Sequence, residues 1–382
     1  MRKICRMMTV LLALALLTAI VVPGTALAET GYTAPQGGTM SFTKYLIMET
    51  DANVPNASFA FTAAPGEAIP PTDGRMEVLA GIGTPTIESV SFAVGDPTTA
   101  GIPGDPSDSA HKYAQKTVTV SFGEDCEFSR PGIYRYTVTE TASENPGVTN
   151  DAISTLTLDV YVTDDGSGTL LVAAYALHTG TEAPAAGTGN TSDDAEADAE
   201  LSDKTTGFTN TYETANLSFK KQISGNKASY DKYFAFTVTI SGAVPGTKYT
   251  VDLEKADASI SANPNAATTC IPSAVTQPTE LTVGTDGKVE QVFYLHHDQE
   301  ITIKGLAIGT EYSIVEDPEE YKSDKTDAAV SGTMADDDVT ETFTNTRNGM
   351  IPTGVALSLL PGMSLLFTAA VGTVLLKKKN RD

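Results

Sequence analysis

The stretch Tyr233-Phe234-Ala235-Phe236-Thr237-Val238-Thr239-Ile240 sets large apolar residues at every second position and small or polar residues between them. Side chains of an extended strand point alternately to opposite faces, so this period of two marks a strand with one buried face. Its segment Phe234-Ala235-Phe236-Thr237 recurs 175 residues earlier as Phe59-Ala60-Phe61-Thr62. Comparable alternation runs through residues 40–44, 117–122, 133–139, 156–162, 289–295 and 301–306, with Gly, Pro, Asn and Asp between the runs. No helical period appears outside the two ends. The pattern predicts an all-β chain of two tandem Ig-like β-sandwiches.

The repeat extends well beyond one strand. Phe42-Thr43-Lys44 matches Phe219-Lys220-Lys221, and Tyr136-Thr137-Val138-Thr139-Glu140 matches Tyr312-Ser313-Ile314-Val315-Glu316. Phe208-Thr209-Asn210-Thr211 likewise matches Phe343-Thr344-Asn345-Thr346. The order is the same in both halves, and the Lys-to-Glu separation is 96 residues in one and 95 in the other. These matches predict a first domain over residues 29–213 and a second over 214–347. Within the first, residues 94–111 and 180–203 are rich in Gly, Pro, Ala, Ser, Thr and acid, and are expected to be mobile.

Strand parity puts Lys44 on the face of Met40 and Phe42, and Lys221 on the face of Leu217 and Phe219. It also puts Glu140 with Tyr136 and Val138, Glu316 with Tyr312 and Ile314, and Asn210 with Phe208. Each domain is therefore expected to bury a lysine, an acid and an amide. Lys220 and Asp317 are the local competitors, and they point to the opposite face. Burial disfavours charge, lowering a lysine pKa and raising that of a glutamate. A neutral amine is a nucleophile and a neutral carboxyl a proton donor, so lysine Nζ can attack the asparagine side-chain carbon and expel ammonia.

The ends carry processing signals. Arg2, Lys3 and Arg6 precede an apolar run over residues 7–22 and Ala26-Leu27-Ala28, which reads as a secretory signal peptide over 1–28. Residues 348–382 hold Ile351-Pro352-Thr353-Gly354, an uncharged stretch of 22 residues over 355–376, and a basic tail from Lys377 to Arg381. That stretch is long enough to span a membrane, with the basic tail inside. The arrangement resembles the sorting signal of Gram-positive surface proteins, which a sortase cleaves between Thr and Gly, here Thr353 and Gly354. Ile351 stands where that motif usually has Leu.

The whole chain has 25 basic and 48 acidic residues. Removing both ends takes seven basic residues and one acid, leaving 18 against 47, a net charge near −29. Such a balance argues against nucleic-acid and anionic-lipid partners. Cys5 leaves with the leader, and Cys126 and Cys270 fall in separate domains, so no disulfide framework within a domain is available. An exported protein without disulfides calls for another stabilising device.

With these residues in view, the chain resembles the major pilins of Gram-positive bacteria, the group A streptococcal backbone pilin in particular. The series Gly132-Ile133-Tyr134-Arg135-Tyr136-Thr137-Val138-Thr139-Glu140, Leu158-Asp159-Val160-Tyr161-Val162 and Phe208-Thr209-Asn210 has that family's order. Leu217-Ser218-Phe219-Lys220-Lys221 is similar to the opening strand of its second domain. The resemblance implies CnaB-like domains in which Lys44 joins Asn210 with Glu140 as catalyst, and Lys221 joins Asn345 with Glu316. It implies no further enzymatic activity. It also implies a subunit acceptor lysine shortly before the first asparagine, a place held by Lys204, six residues before Asn210 where the family has seven.

On this reading the partners are a sortase, identical subunits in a covalent homopolymer at the cell surface, the peptidoglycan, and accessory pilins or a host receptor. The alternative is an unpolymerised, wall-anchored adhesin that uses first-domain loops. His296-His297-Asp298 reads as a hairpin turn rather than a metal site, and Cys126 and Cys270 as buried thiols. With no phosphate loop, hydrolase elbow or zinc motif in the sequence, no cofactor or metal is expected.

Overall fold

The computed structural model describes residues 38–185, 204–262, 271 and 273–349. The leader, Cys5, Cys270, the Ile351 to Gly354 motif and the apolar stretch after it lie outside these. Among the described residues no helix is long and apolar enough to cross a membrane.

The described chain is all-β apart from one 3-10 turn at Thr326–Ala328, and its alternating runs form the strands of two sandwiches. In the first, the strand carrying Lys44 (Thr39–Glu49) lies between His111–Ser121, antiparallel, and the strand carrying Asn210 (Gly207–Tyr212), parallel. The facing sheet runs Leu170–His178, Thr155–Asp164, Gly132–Glu140, Phe61–Pro65, and Glu140 ends its third strand. The second sandwich repeats the plan. Thr214–Ser224, carrying Lys221, lies between Glu300–Ala307 and the parallel Val339–Thr346, which carries Asn345. Glu316 ends Glu311–Glu316, which pairs with Phe234–Ser241 in the facing sheet.

Burial follows the parity of the sequence. Thr214–Ser224 alternates intermediate and buried residues along its whole length, and its buried face meets Phe236, Phe293 and Phe343 between the sheets. Phe42, Phe61 and Phe208 form the matching aromatic group in the first sandwich. The first core takes Tyr212 and the second begins with Ala215, while Ala307 of the second sandwich packs into the first core. Asn53 and Asn56 reach across and donate to the Lys248 and Pro245 carbonyls, both at 2.9 Å.

Residues 94–111, expected from composition to be mobile, hold a short ladder and several hydrogen-bonded turns. Thr98–Ala100 pairs with Lys112–Ala114, Gly101 N–H donates to the His111 carbonyl, and Asp105 and Asp108 accept main-chain N–H groups of their own turns. Ladder and Asx-turn hydrogen bonds supply the order that an apolar anchor otherwise would. Of residues 180–203, those after Ala185 lie outside the described set.

Candidate functional site

Each sandwich holds one buried polar cluster between its sheets. The parallel pairing sets Lys44 beside Phe208 and Leu46 beside Asn210; in the second sandwich Lys221 sits beside Phe343 and Ile223 beside Asn345. The offset is the same, so each lysine and asparagine share a face two ladder positions apart. Each glutamate arrives from the opposite sheet. Glu140 Oε1 lies 2.7 Å from Lys44 Nζ and accepts from Asn210 Nδ2 at 3.2 Å. Glu316 Oε1 lies 2.6 Å from Lys221 Nζ and accepts from Asn345 Nδ2 at 2.9 Å. The structure thus brings together Lys44, Glu140 and Asn210, and separately Lys221, Glu316 and Asn345. All six are at most 5 % exposed.

Burial governs the electrostatics. It pushes the Lys44 ammonium below its ordinary pKa despite the opposing pull of Glu140, and pushes Lys221 down to about 8 against the pull of Glu316. Both glutamates are raised by the same loss of solvent, although the adjacent lysines oppose it. Each pair is therefore poised to exchange a proton from the ammonium to the carboxylate, leaving a free amine beside a carboxylic acid.

The repeated Phe-Ala-Phe-Thr segments supply the walls. Phe59 and Phe234 present their ring faces to Lys44 and Lys221 at 4.6 and 4.5 Å. Phe61 and Phe236 stand opposite Glu140 and Glu316 in the ladder. The sequence signals this role only through the exact repetition of four residues. In the first sandwich the segment breaks at Ala60, with Ala57–Phe59 pairing with Val90–Phe92 instead; in the second it is one continuous strand.

A second buried network was not foreseen. Arg135 donates from Nε and Nη2 to the two oxygens of Asp159, both at 2.7 Å, and from Nη1 and Nη2 to the Thr181 and Glu182 carbonyls. His178 lies 3.1 Å from Asp159 Oδ2. The network sits at the end of the Leu170–His178 strand, where His178 bridges Lys204 through the main chain. Lys204 is exposed and belongs to neither triad.

His296, His297 and Asp298 form the turn between Val289–Leu295 and Glu300–Ala307, with Asp298 at φ 64°. His297 Nδ1 accepts the Ile223 N–H at 2.9 Å, which ties the turn to the Lys221 strand. Among the described residues no three side chains form a metal-ligating group. Cys126 is buried, and burial raises its thiol pKa.

Residues 84–213 match the model of the Spy0128-like isopeptide containing domain, FctA, and residues 215–347 match that of a domain of unknown function, DUF7601. A curated pilin of Streptococcus pyogenes serotype M1 is 25 % identical over 376 residues, covering 92 % of this chain and 93 % of the relative. The crystal structure of the major pilin from Streptococcus pyogenes is similar with a TM-score of 0.50 at 20 % identity, covering 82 % of this chain and all of that one. A glutamate-to-alanine mutant of the same pilin gives a TM-score of 0.50 at 21 % identity with the same coverage. These likenesses bear out the tandem-sandwich fold and the resemblance read from the sequence.

Proposed function

Starting from a chain related to the streptococcal major pilins, we propose that it is a pilus backbone subunit, built from two units over 29–213 and 214–347 that each cross-link themselves. One observation carries the cross-link reading: a lysine and an asparagine on parallel neighbouring strands at the same register offset, bridged by a glutamate from the opposite sheet, in both sandwiches.

The chemistry follows from the pair. A proton passes from the lysine ammonium to the glutamate, and the neutral Nζ attacks Cγ of the asparagine. The Nζ–Cγ bond forms first, giving a tetrahedral centre, and the Cγ–Nδ2 bond breaks as that centre collapses. Glutamate delivers its proton to the departing nitrogen and takes one from Nζ, so ammonia leaves and an amide remains. Lys44 joins Asn210 through Glu140, and Lys221 joins Asn345 through Glu316. Each catalyst acts once, on its own chain.

The ends make the subunit part of a polymer. Export removes residues 1–28, and a sortase cleaves the Ile351-Pro352-Thr353-Gly354 motif between Thr353 and Gly354. Thr353 is then joined to Lys204 of the next copy, whose exposure and attachment at a strand end support its accessibility to the enzyme. Repetition gives a covalent surface fibre, and transfer to peptidoglycan ends it. Accessory pilins and a host receptor are compatible partners.

Intact mass tests the chemistry: the folded chain is expected to be lighter than its sequence by two ammonia molecules, and an unshifted mass overturns both cross-links. Wall extracts test the polymer. High-mass ladders that disappear with Lys204→Ala support the fibre, whereas a single band supports the unpolymerised adhesin.

A further inference from the structure

In both sandwiches a second carboxylate lies across the ladder from the residue preceding the asparagine. Continuing the antiparallel register of Val148–Thr149 on Gly207–Tyr212 sets Asp151 opposite Thr209. Continuing that of Lys322–Ser323 on Val339–Thr346 sets Asp324 opposite Thr344. The side chains make the same contact: Thr209 N–H donates to Asp151 Oδ2 at 3.2 Å, and Thr344 N–H donates to Asp324 Oδ1 at 2.8 Å. Each acid thereby ties down the main chain one residue before the asparagine. A free Cγ position is what such a tie removes, and misplacing a reacting atom by about 1 Å costs on the order of a hundredfold in rate.

The two sandwiches differ in the next hydrogen bond. The Asp151 N–H donates to Asn210 Oδ1 at 3.1 Å. In the second sandwich the Asp324 N–H donates instead to the Thr344 carbonyl at 2.9 Å, and Asn345 Oδ1 is buried with no hydrogen-bond partner among the described residues. When Nζ adds to Cγ, the carbonyl bond opens and negative charge collects on Oδ1. A fixed N–H at that oxygen stabilises the charge as it forms.

We propose that Asp151 and Asp324 are positioning residues for the two cross-links, and that the Asp151 main chain also supplies an oxyanion donor that the second sandwich lacks. The proposal rests on the Lys–Asn reading above and concerns how each asparagine is held. Asp151 Oδ1 accepts the Ile153 N–H at 2.9 Å, so the donor's own loop is fixed by the same side chain.

The test uses the full chain made by cell-free synthesis, quenched at intervals and digested, with the Lys44–Asn210 and Lys221–Asn345 cross-linked peptides counted by mass spectrometry. Each bond is the internal reference for the other. Asp151→Ala is expected to slow the first bond by roughly tenfold to a hundredfold and leave the second at its normal pace. Asp324→Ala is expected to do the reverse. Asp151→Asn and Asp324→Asn keep an acceptor oxygen and are expected to restore the rates, which a loss of folding alone would not predict.

First-bond formation in Asp151→Ala at the wild-type pace overturns the proposal, as does an Asn variant as slow as its Ala counterpart. Should Asp151→Ala not fold, the Asp324 pair decides by the same criteria. If the wild-type chain yields neither peptide, the cross-link reading itself fails and takes the proposal with it. A wild-type chain with both peptides but indifferent aspartates sinks only the positioning role.

Discussion

The two sandwiches agree on the placement of the lysine and on its contact with the glutamate, apart from a second glutamate oxygen that Lys44 alone engages, and diverge on the asparagine side. Lys44 and Lys221 have the same ring beneath them, the same register and nearly the same distance to their carboxylates. Yet Asn210 Oδ1 accepts a main-chain N–H, while Asn345 Oδ1 has no hydrogen-bond partner among the described residues. Repetition is strictest where a charge must be buried and partnered, since an error there costs several kcal/mol. Holding a neutral amide admits more than one solution.

The largest difference between the two halves should appear under force. In the proposed cross-linked fibre, the shortest covalent route between Lys204 and Thr353 runs through Asn210, along the chain to Lys221, across to Asn345 and out. On that proposal residues 222–344 are bypassed by the second bond, whereas the first bond lies off this route. In single-molecule pulling between position 204 and the C-terminal end, Asn345→Ala should release an extension on the order of 400 Å. Asn210→Ala should release none of that length. Equal extension in both variants would break the proposed path.

Next in size are the glutamate variants. Glu140→Ala and Glu316→Ala should each leave the chain lighter than its own sequence by one ammonia instead of two and abolish only the bond of their own sandwich. Closing a loop of ~100 residues is worth about 4.7 kcal/mol in the chain-entropy model. Removing the acid also leaves a buried lysine without its partner, which costs about 3–5 kcal/mol. Each glutamate variant should therefore melt below the corresponding asparagine variant, which keeps the Lys–Glu pair. The two loops differ less than twofold in length, so Asn210→Ala and Asn345→Ala should differ by under ~0.6 kcal/mol from this source. A glutamate variant that melts with its asparagine counterpart would show that the lysine relocates to solvent.

A third contrast lies outside the triads. Burial alone would raise the Asp159 pKa, but hydrogen bonds and charge from Arg135 and His178 outweigh it and hold the carboxyl below its usual range. A depressed folded pKa stabilises the fold above the unfolded value, and that contribution is lost as pH falls through the folded one. Arg135→Ala should destabilise the first sandwich by about 3–5 kcal/mol and leave the second unaffected. Separate proteolytic fragments in limited digestion would report which half opens.

These contrasts mark what was legible in the chain. Strands were readable because most bury one face, and the six triad residues stood out because a lysine, an acid and an amide fall on apolar faces twice in one order. Arg135 and Asp159 were not readable as a pair, because Gly132–Glu140 is buried on both faces over Ile133 to Tyr136. Its outer face is covered by Val78 and Ala183, which come from distant segments. Asp151 and Asp324 look like ordinary turn acids, since their contact depends on a ladder register that no local pattern sets. The break at Ala60 was hidden for the same reason: its partner strand is Val90–Phe92, some thirty residues on.

The smallest effect concerns pH. In Asn345→Ala the Lys221 amine stays free and titrates near 8 in the folded chain, because burial lowers it from 10.5. Between those values the unfolded chain holds a proton that the folded chain does not, so stability rises with pH across this window. With the proposed cross-link in place, the same nitrogen is an amide in the wild-type chain and does not titrate. Glu316 is present in both and largely cancels from their difference. The stability gap between wild type and Asn345→Ala, measured by urea unfolding, should therefore narrow from pH 8 towards 10.5. Lys44 is shifted in the same direction, so Asn210→Ala should narrow its own gap with the same sign. A gap that stays constant or widens would mean that the uncross-linked lysine is not held in the buried site.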